Sequence, residues 1–375
     1  MRRLEFAKRF MPTVFALFSG FFVGALFLIL TGYDPIRSYA AMLEGVFSRP
    51  KYLIQVISKS APLALTGLSV AFAFKCGLFN IGSEGQYTIG VIVATLLGTK
   101  LSLPFGVHFI VIMLAGMIFA GIWGAIVGFL KVKFGINEVV TAIMLNWIAL
   151  HLHRYVFSFP WLLVKNIDAS QEIKETARSA ILHGFIATPK GQTLAAKNAF
   201  LADILKTDLN FGIFLAIGAA FAIHHLLNST TKGFELRAMG INQEASRFAG
   251  MNIKRNVILS MFISGAISGL AGVIQLTGFG PFRMTNLAAF EGYGLEGIYI
   301  ALVANCSPIG CIASGLFFSA IKCGSALMQI EVGTPREIIK IITGLIIFFI
   351  AIPFAYKLIA SKIQKTKKDT INHDE

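Results

Sequence analysis

The 375-residue chain is 55% hydrophobic with only 14% charged residues and a mean hydropathy of +0.72, which excludes an ordinary soluble domain and marks a polytopic membrane protein. Its formal charge of +14 does not point to nucleic acid, because the basic residues cluster at the ends of apolar runs. No G-x-x-x-x-G-K-[ST] loop, nucleophile elbow, HExxH motif or zinc quartet occurs, so an enzyme reading has no residues to rest on.

In chain order, apolar segments fall at about 10 to 30, 52 to 74, 86 to 99, 105 to 130 and 138 to 159, and resume at about 210 to 228, 257 to 279, 286 to 304, 309 to 329 and 338 to 358. These runs suit helices of about 20 residues, not the alternating ten-residue segments of a membrane barrel. The predicted fold is an all-α integral membrane protein with about ten transmembrane helices. Arg2, Arg3, Lys8 and Arg9 precede the first run, which is too long for a signal peptide and lacks a nearby small-residue cleavage site, so a retained helix is expected.

Even parity puts both termini on one side, together with Lys75, Lys131, Lys232, Arg237, Arg247 and Lys254; the positive-inside rule makes that side the cytoplasm. Residues 1–160 then form a first transmembrane half, 161–209 an extracytoplasmic excursion of mixed charge, 210–358 a second half with a cytoplasmic loop at 229–256, and 359–375 a cytoplasmic tail. Each half carries a Gly-x-Glu-Gly tetrapeptide, Gly82 to Gly85 and Gly294 to Gly297. With an odd number of crossings per half, the two halves read as inverted five-helix repeats whose equivalent points are expected on opposite membrane faces.

Three polar sets interrupt the apolar pattern. "GLFNIGSEGQ", with Phe79, Asn80, Glu84 and Gln86, reads either as a helix break lining a solute pathway or as a cytoplasmic turn with Glu84 at a helix N-terminus. "INEVVTAIMLNWIAL" puts Glu138, Thr141 and Asn146 on one broad helix face, for which helix–helix hydrogen bonding is the plain explanation and a pathway role for Asn146 the sharper one. "NLAAFEGYGLEGIYIALVAN" surrounds Glu291, Tyr293, Glu296 and Asn305 with glycines. Two such breaks would offer acceptors and aromatic faces to a polar, planar or hydroxylated solute. Cys76, Cys306, Cys311 and Cys323 match no metal spacing and read as free thiols, and the pairs His151 with His153 and His224 with His225 read as interfacial side chains.

The segment "FELRAMGINQEASRFAGMNIKRN", 234 to 256, resembles the coupling loop of ATP-binding cassette (ABC) importer permeases, in which a short amphipathic helix with an E-A-A-type core precedes a glycine. Glu244, Ala245 and Ser246 match that core, with a small-for-small change at its third position, and Gly250 matches the glycine. Arg237, Gly240 and Asn242 lie in the same stretch. "GLFNIGSEGQ", "INEVVTAIMLNWIA", "SGAISGLAG", "GYGLEGIYIALVANCSPIG" and "TPREIIKIITGLIIFF" resemble successive blocks of nucleoside-type permeases within the ribose and branched-chain amino-acid permease group, over about residues 50 to 355. "VANCSPIG" departs from the usual pattern at Cys306, and 161–209 lies outside the resemblance.

The resemblance implies a permease without ATPase motif in the bacterial cytoplasmic (inner) membrane. It implies pairing with a second homologous permease, with ATPase subunits that bind ATP and Mg, and with an extracytoplasmic substrate-binding lipoprotein or periplasmic protein. No cofactor is expected in this chain. An ion-coupled secondary transporter, with Glu84, Glu138 and Glu296 relaying protons, is the competing reading.

Overall fold

A computed structural model describes residues 17–349 apart from 165, 166, 182, 187 and 336. The expected cytoplasmic tail and the basic residues before the first helix lie outside the described residues. The chain divides into two compact units, residues 1–48 with 321–375 and residues 49–320.

In the smaller unit, α1 (Leu17–Leu30) and α2 (Pro35–Phe47) are joined by a turn. Asp34 caps α2 by accepting from the backbone of Ile36 and Arg37, which satisfies N–H groups that a helix start leaves open. The phenol of Tyr39 donates to the Phe21 carbonyl at 2.8 Å and ties α2 back to α1.

The larger unit contains α3 (Pro50–Lys75), α4 (Ser83–Lys100), α5 (Val107–Phe134) and α6 (Glu138–Phe157). The short α7 (His183–Ile186), α8 (Pro189–Lys197) and α9 (Ala199–Leu205) follow in the excursion. Then come α10 (Gly212–Ser229), α11 (Thr231–Ile241), α12 (Gln243–Phe248), α13 (Ile253–Gly278) and α14 (Tyr293–Val303). Helix α15 (Pro308–Val332) carries the boundary between the units, and a last described helix, α16, covers 337–349 in the smaller one.

Among the described residues no strand forms, only isolated bridges in the excursion and the loop after α13. Among the described residues five helices, α3, α5, α10, α13 and α15, are long and apolar enough to cross a membrane, and α1 and α14 are shorter apolar helices. Helices α4 and α6 have spanning length, but α4 opens Ser-Glu-Gly-Gln and ends in Lys100, and α6 carries Glu138, His151, His153 and Arg154.

The core of the larger unit is the seam of α5 with α13. Gly116, Ala120, Gly124 and Gly128 recur every fourth residue on α5, facing Gly265 and Gly269 on α13. A Cβ on Gly265 would sit 2.5 Å from the Ala120 carbonyl oxygen, so only a hydrogen lets the backbones approach. With no hydrophobic force between helices in lipid, such small-residue contact is how they associate. Helix α3 is the most enclosed, buried almost throughout from Ser58 to Ala73.

Candidate functional site

Two non-helical arms enter the larger unit from opposite ends. The inner arm begins where α3 stops at Lys75 and the chain reverses through Gly77 at φ +73°. It does not leave the bundle. Asn80 donates to the hydroxyls of Ser264 at 2.7 Å and Ser69 at 3.3 Å, and Ser69 lies six residues before the end of α3, about 9 Å up the helix at 1.5 Å per residue.

Asn80 and Gln86 exchange hydrogen bonds of 2.7 and 3.1 Å. Ser264 and Ser268 both bond to Ser69, and Ser83 to Ser268 at 2.7 Å. Asn146 accepts from the Gly85 N–H at 2.8 Å and donates to the Ile81 carbonyl at 3.0 Å, replacing bonds that a broken helix lacks. Backbone of this kind is tolerated away from water only when protein groups satisfy it. Asn80, Gln86 and Glu84 are at most 1% exposed, so in this conformation they face protein groups and not an open channel.

The outer arm is residues 279–292, between α13 and α14. Arg154 on α6 donates to the carbonyls of Leu287 at 2.8 Å and Ala288 at 2.6 Å, and Trp147 packs on Phe290 with ring centres 4.9 Å apart. Higher up, Glu172 of the excursion pairs with Arg283 at 2.6 Å and Arg178 at 2.7 Å. The hydrogen bond from Arg283, with the charge of both guanidiniums, holds the Glu172 carboxyl below the usual carboxylate range.

The arms deliver two helix N-termini to one point. Glu84, in the first turn of α4, accepts from the N–H groups of Gly292 at 2.8 Å, Gly294 at 2.6 Å and Leu295 at 3.2 Å, which open α14. The positive ends of both helix dipoles therefore converge on one carboxylate. In the reverse direction the Tyr87 phenol of α4 donates to Glu291 at 2.5 Å, and the rings of Tyr87 and Tyr293 stack at 5.4 Å. The two Gly-x-Glu-Gly tetrapeptides are thus in contact, Gly294 lying against Ser83 and Glu84, and the expectation of opposite faces is corrected. The inner arm runs into the bundle before α4 starts, and the outer arm, exposed over much of 285–291, brings the start of α14 against it.

The other candidates are not among the groups that bond across this junction. Phe79 is half-buried, edge-on to Phe74 at 5.0 Å. Glu296 is half-buried in the first turn of α14. Asn305 is exposed just past the end of α14, at φ +52°. Glu138 pairs with Lys131 at 2.7 Å across the α5–α6 turn.

The coupling candidates form α11 and α12. Asn242 caps α12 by accepting from the Ala245 N–H at 3.0 Å, with Glu244 exposed in the first turn, and Gly250 adopts φ +79° beyond it. Arg237 is half-buried on α11, beside a groove of about 380 Å³ that Phe234, Ile241, Ala245 and Met251 also line. Ile241 and Phe248 are 88% and 91% exposed, apolar side chains held out from the fold. The backbone of Gly240 lies on Lys75, Cys76 and Gly77, where a Cβ would come 2.5 Å from the Lys75 carbonyl oxygen. The exposed loop therefore touches the first residues of the inner arm directly. Lys232 and Asn256 hydrogen-bond Glu235 at 2.7 and 3.1 Å, which fixes α11 to α13 and holds the Glu235 carboxyl below its ordinary range.

Residues 52–351 match the family model described as branched-chain amino acid transport system / permease component. The chain belongs to this permease family. The permease is 36% identical to the guanosine ABC transporter permease protein NupP of Bacillus subtilis, over 93% of this chain and 95% of that one. It is 32% identical to the nucleoside ABC transporter permease protein NupB of Lactococcus lactis, over 96% and 95%. With a glucose ABC transporter permease of Haloferax volcanii it shares 30% identity over 88% and 83%. No solved structure matches the chain. The permease is a multi-pass membrane protein, and its family comprises transport components, not catalytic ones.

Several residues that build the junction were not singled out from the sequence. Ser69, Ser264 and Ser268 are ordinary in composition, and only their meeting across α3 and α13 makes them a polar seam. Ser264 and Ser268 lie four apart on one helix face, a spacing that could have flagged them. Tyr87 directly follows the quoted polar stretch, and Arg154, near the end of α6, binds the outer arm.

Proposed function

We propose that this permease subunit of an ABC importer carries a nucleoside or a chemically related hydroxylated ring solute along a pathway controlled at the junction of α4 and α14. The observation that carries the reading is the direct packing of Gly240, in the exposed loop, on Gly77 at the root of the inner arm. Force applied to α11 and α12 from the cytoplasm reaches the break without an intermediary. The substrate class rests on relatives named for guanosine, nucleosides and glucose, all rich in hydroxyl groups.

The ten-crossing topology completes the proposal, with both termini and 229–256 cytoplasmic, 161–209 outside, and two inverted halves, 1–160 and 210–358. The meeting of two arm-and-helix units at their N-termini supports the inverted relation. Asn80, Glu84, Gln86, Asn146, Glu291 and Tyr293 would hold the pathway closed in the present conformation and border it when open, with Phe79, Glu296 and Asn305 flanking it. Arg237, Gly240, Asn242, Glu244, Ala245 and Gly250 would form the ATPase contact, with ATP and Mg held by that partner. A second permease and an extracytoplasmic solute receptor complete the assembly in the bacterial cytoplasmic membrane.

Reconstitution with the ATPase, second permease and receptor tests this. ATP-dependent uptake of labelled guanosine is expected. Uptake without ATP that collapses when ion gradients are dissipated would overturn it in favour of ion coupling. A cysteine at the exposed Gln192 should react with an impermeant maleimide from outside, and one at Thr231 only after permeabilisation.

A further inference from the structure

We infer that Glu84 is a movable latch: its carboxylate holds α14 to α4 in the resting permease and lets go during each transport cycle, making it a positioning residue and not a solute ligand. The inference rests on the permease reading and adds a moving part to it.

The contacts are reciprocal between the two broken helices. Glu84 reaches from α4 to three backbone N–H groups at Gly292, Gly294 and Leu295, and Tyr87, one turn further along α4, donates to Glu291 on the outer arm. The carboxylate of Glu84 and the phenol of Tyr87 thus both end on residues just before or at the start of α14. The carboxylate is 1% exposed, so it has no water to exchange with while the junction is shut.

Its oxygens also fill acceptor positions that α14 would otherwise leave empty, since the first N–H groups of a helix have no partner inside it. Opening the junction frees those N–H groups and the carboxylate together. The latch is anchored at its other end: the inner arm joins α4 to Gly77, which bears on Gly240 of the exposed loop. Displacement of α11 therefore acts on Glu84 through seven residues of chain, 77 to 83, whose hydrogen bonds keep them from going slack.

Glutamine at position 84 keeps the size but turns an amide N–H₂ toward N–H donors, so Glu84→Gln should release the latch, whereas Glu84→Asp keeps the acceptors on a shorter arm.

The test is backbone hydrogen exchange on the assembled importer in lipid nanodiscs, resting and trapped with ATP and vanadate. In the resting wild type the amides of 292–295 should be protected. Trapping should speed their exchange by about tenfold or more, while residues 261–277 of α13 stay unchanged. In Glu84→Gln the same amides should exchange fast already at rest, with hydrolysis of ATP raised in the absence of solute and lowered again in Glu84→Asp. Equal protection in the resting and trapped wild type would overturn the inference, and that comparison needs no variant to fold. Normal resting protection and an unchanged ratio of solute-stimulated to basal hydrolysis in an assembled Glu84→Gln importer would overturn it too. Failure of the nucleoside reading would appear separately, as absent guanosine uptake by the wild type.

Discussion

The inner and outer arms are the same device, a non-helical stretch leading to a helix start, yet they are held by different chemistry. Along residues 76–82 the partners are neutral: Asn80, Gln86 and Asn146, with the hydroxyls of Ser69 and Ser264. Along residues 279–292 they include ions: Arg154 on two carbonyls and the group of Arg283, Glu172 and Arg178. Burial accounts for the difference. A fully enclosed charge needs a matched partner, whereas an amide is satisfied by two or three hydrogen bonds, so the enclosed arm uses amides and the arm reaching the surface can use guanidinium. Glu84, the one buried carboxylate among the described residues, stands where both arms end and two helix dipoles favour it.

Breaking the inner arm should therefore cost most. Asn146→Leu removes the partner of the Gly85 N–H and the Ile81 carbonyl, and an orphaned buried polar group costs about 1–3 kcal/mol. A lower melting temperature of the assembled importer and loss of most transport are expected, measured by thermal scan and uptake. Wild-type values for both would show that the arm holds itself. Asn80→Leu leaves Gln86 and Ser264 short of a partner and should lower transport in the same way, with receptor affinity unchanged.

Next in size is the root of that arm. Gly240→Val places a side chain against the Lys75 carbonyl and should cut solute-stimulated ATP hydrolysis and uptake together by about tenfold, a barrier change of about 1.4 kcal/mol, with membrane insertion intact. Gly250→Arg tests the far end of the same loop, because a bulky residue is strained at φ +79°. Coupling that survives both substitutions would sever the loop from the arm.

The outer arm should respond less. Arg154→Gln keeps a shorter donor and removes one of two carbonyl contacts, so uptake should fall only a few-fold; a loss equal to that of Asn146→Leu would erase the contrast between the arms.

The smallest effect belongs to Glu172. Its carboxyl is held below the ordinary range by Arg283 first and Arg178 with it, so its contribution is fully present above the normal carboxylate pKa and is lost as pH falls through the lowered value. Hydrogen exchange at 170–173 should be flat from pH 8 down to the usual carboxylate range, after correction for intrinsic rates, and rise only in more acid buffer. Because the group is exposed, added salt should change it little more than any surface pair. Loosening near neutral pH would mean that another titrating group holds the arm.

Much of this was legible in the chain. "GLFNIGSEGQ" announced a break because glycines and amides are costly inside an apolar run, and Asn146 stood out for the same reason. The glycine ladder of α5 was equally visible as a four-residue period but says nothing about its partner until Gly265 and Gly269 lie against it. The opposite-face placement of the two tetrapeptides failed because it takes each helix start to lie at a membrane face. Helix α14, of 11 residues, starts inside the bundle instead.

Composition and periodicity by themselves determined the helical membrane class, the absence of a nucleotide-binding loop and the places where helices break, because each follows from transfer free energies and spacing along a single chain. Only the tertiary structure decided which break meets which. The pairing of Glu84 with the N–H groups of Gly292, Gly294 and Leu295 joins residues more than two hundred positions apart, and their donors exist only once α14 has formed and its first turn is left unsatisfied.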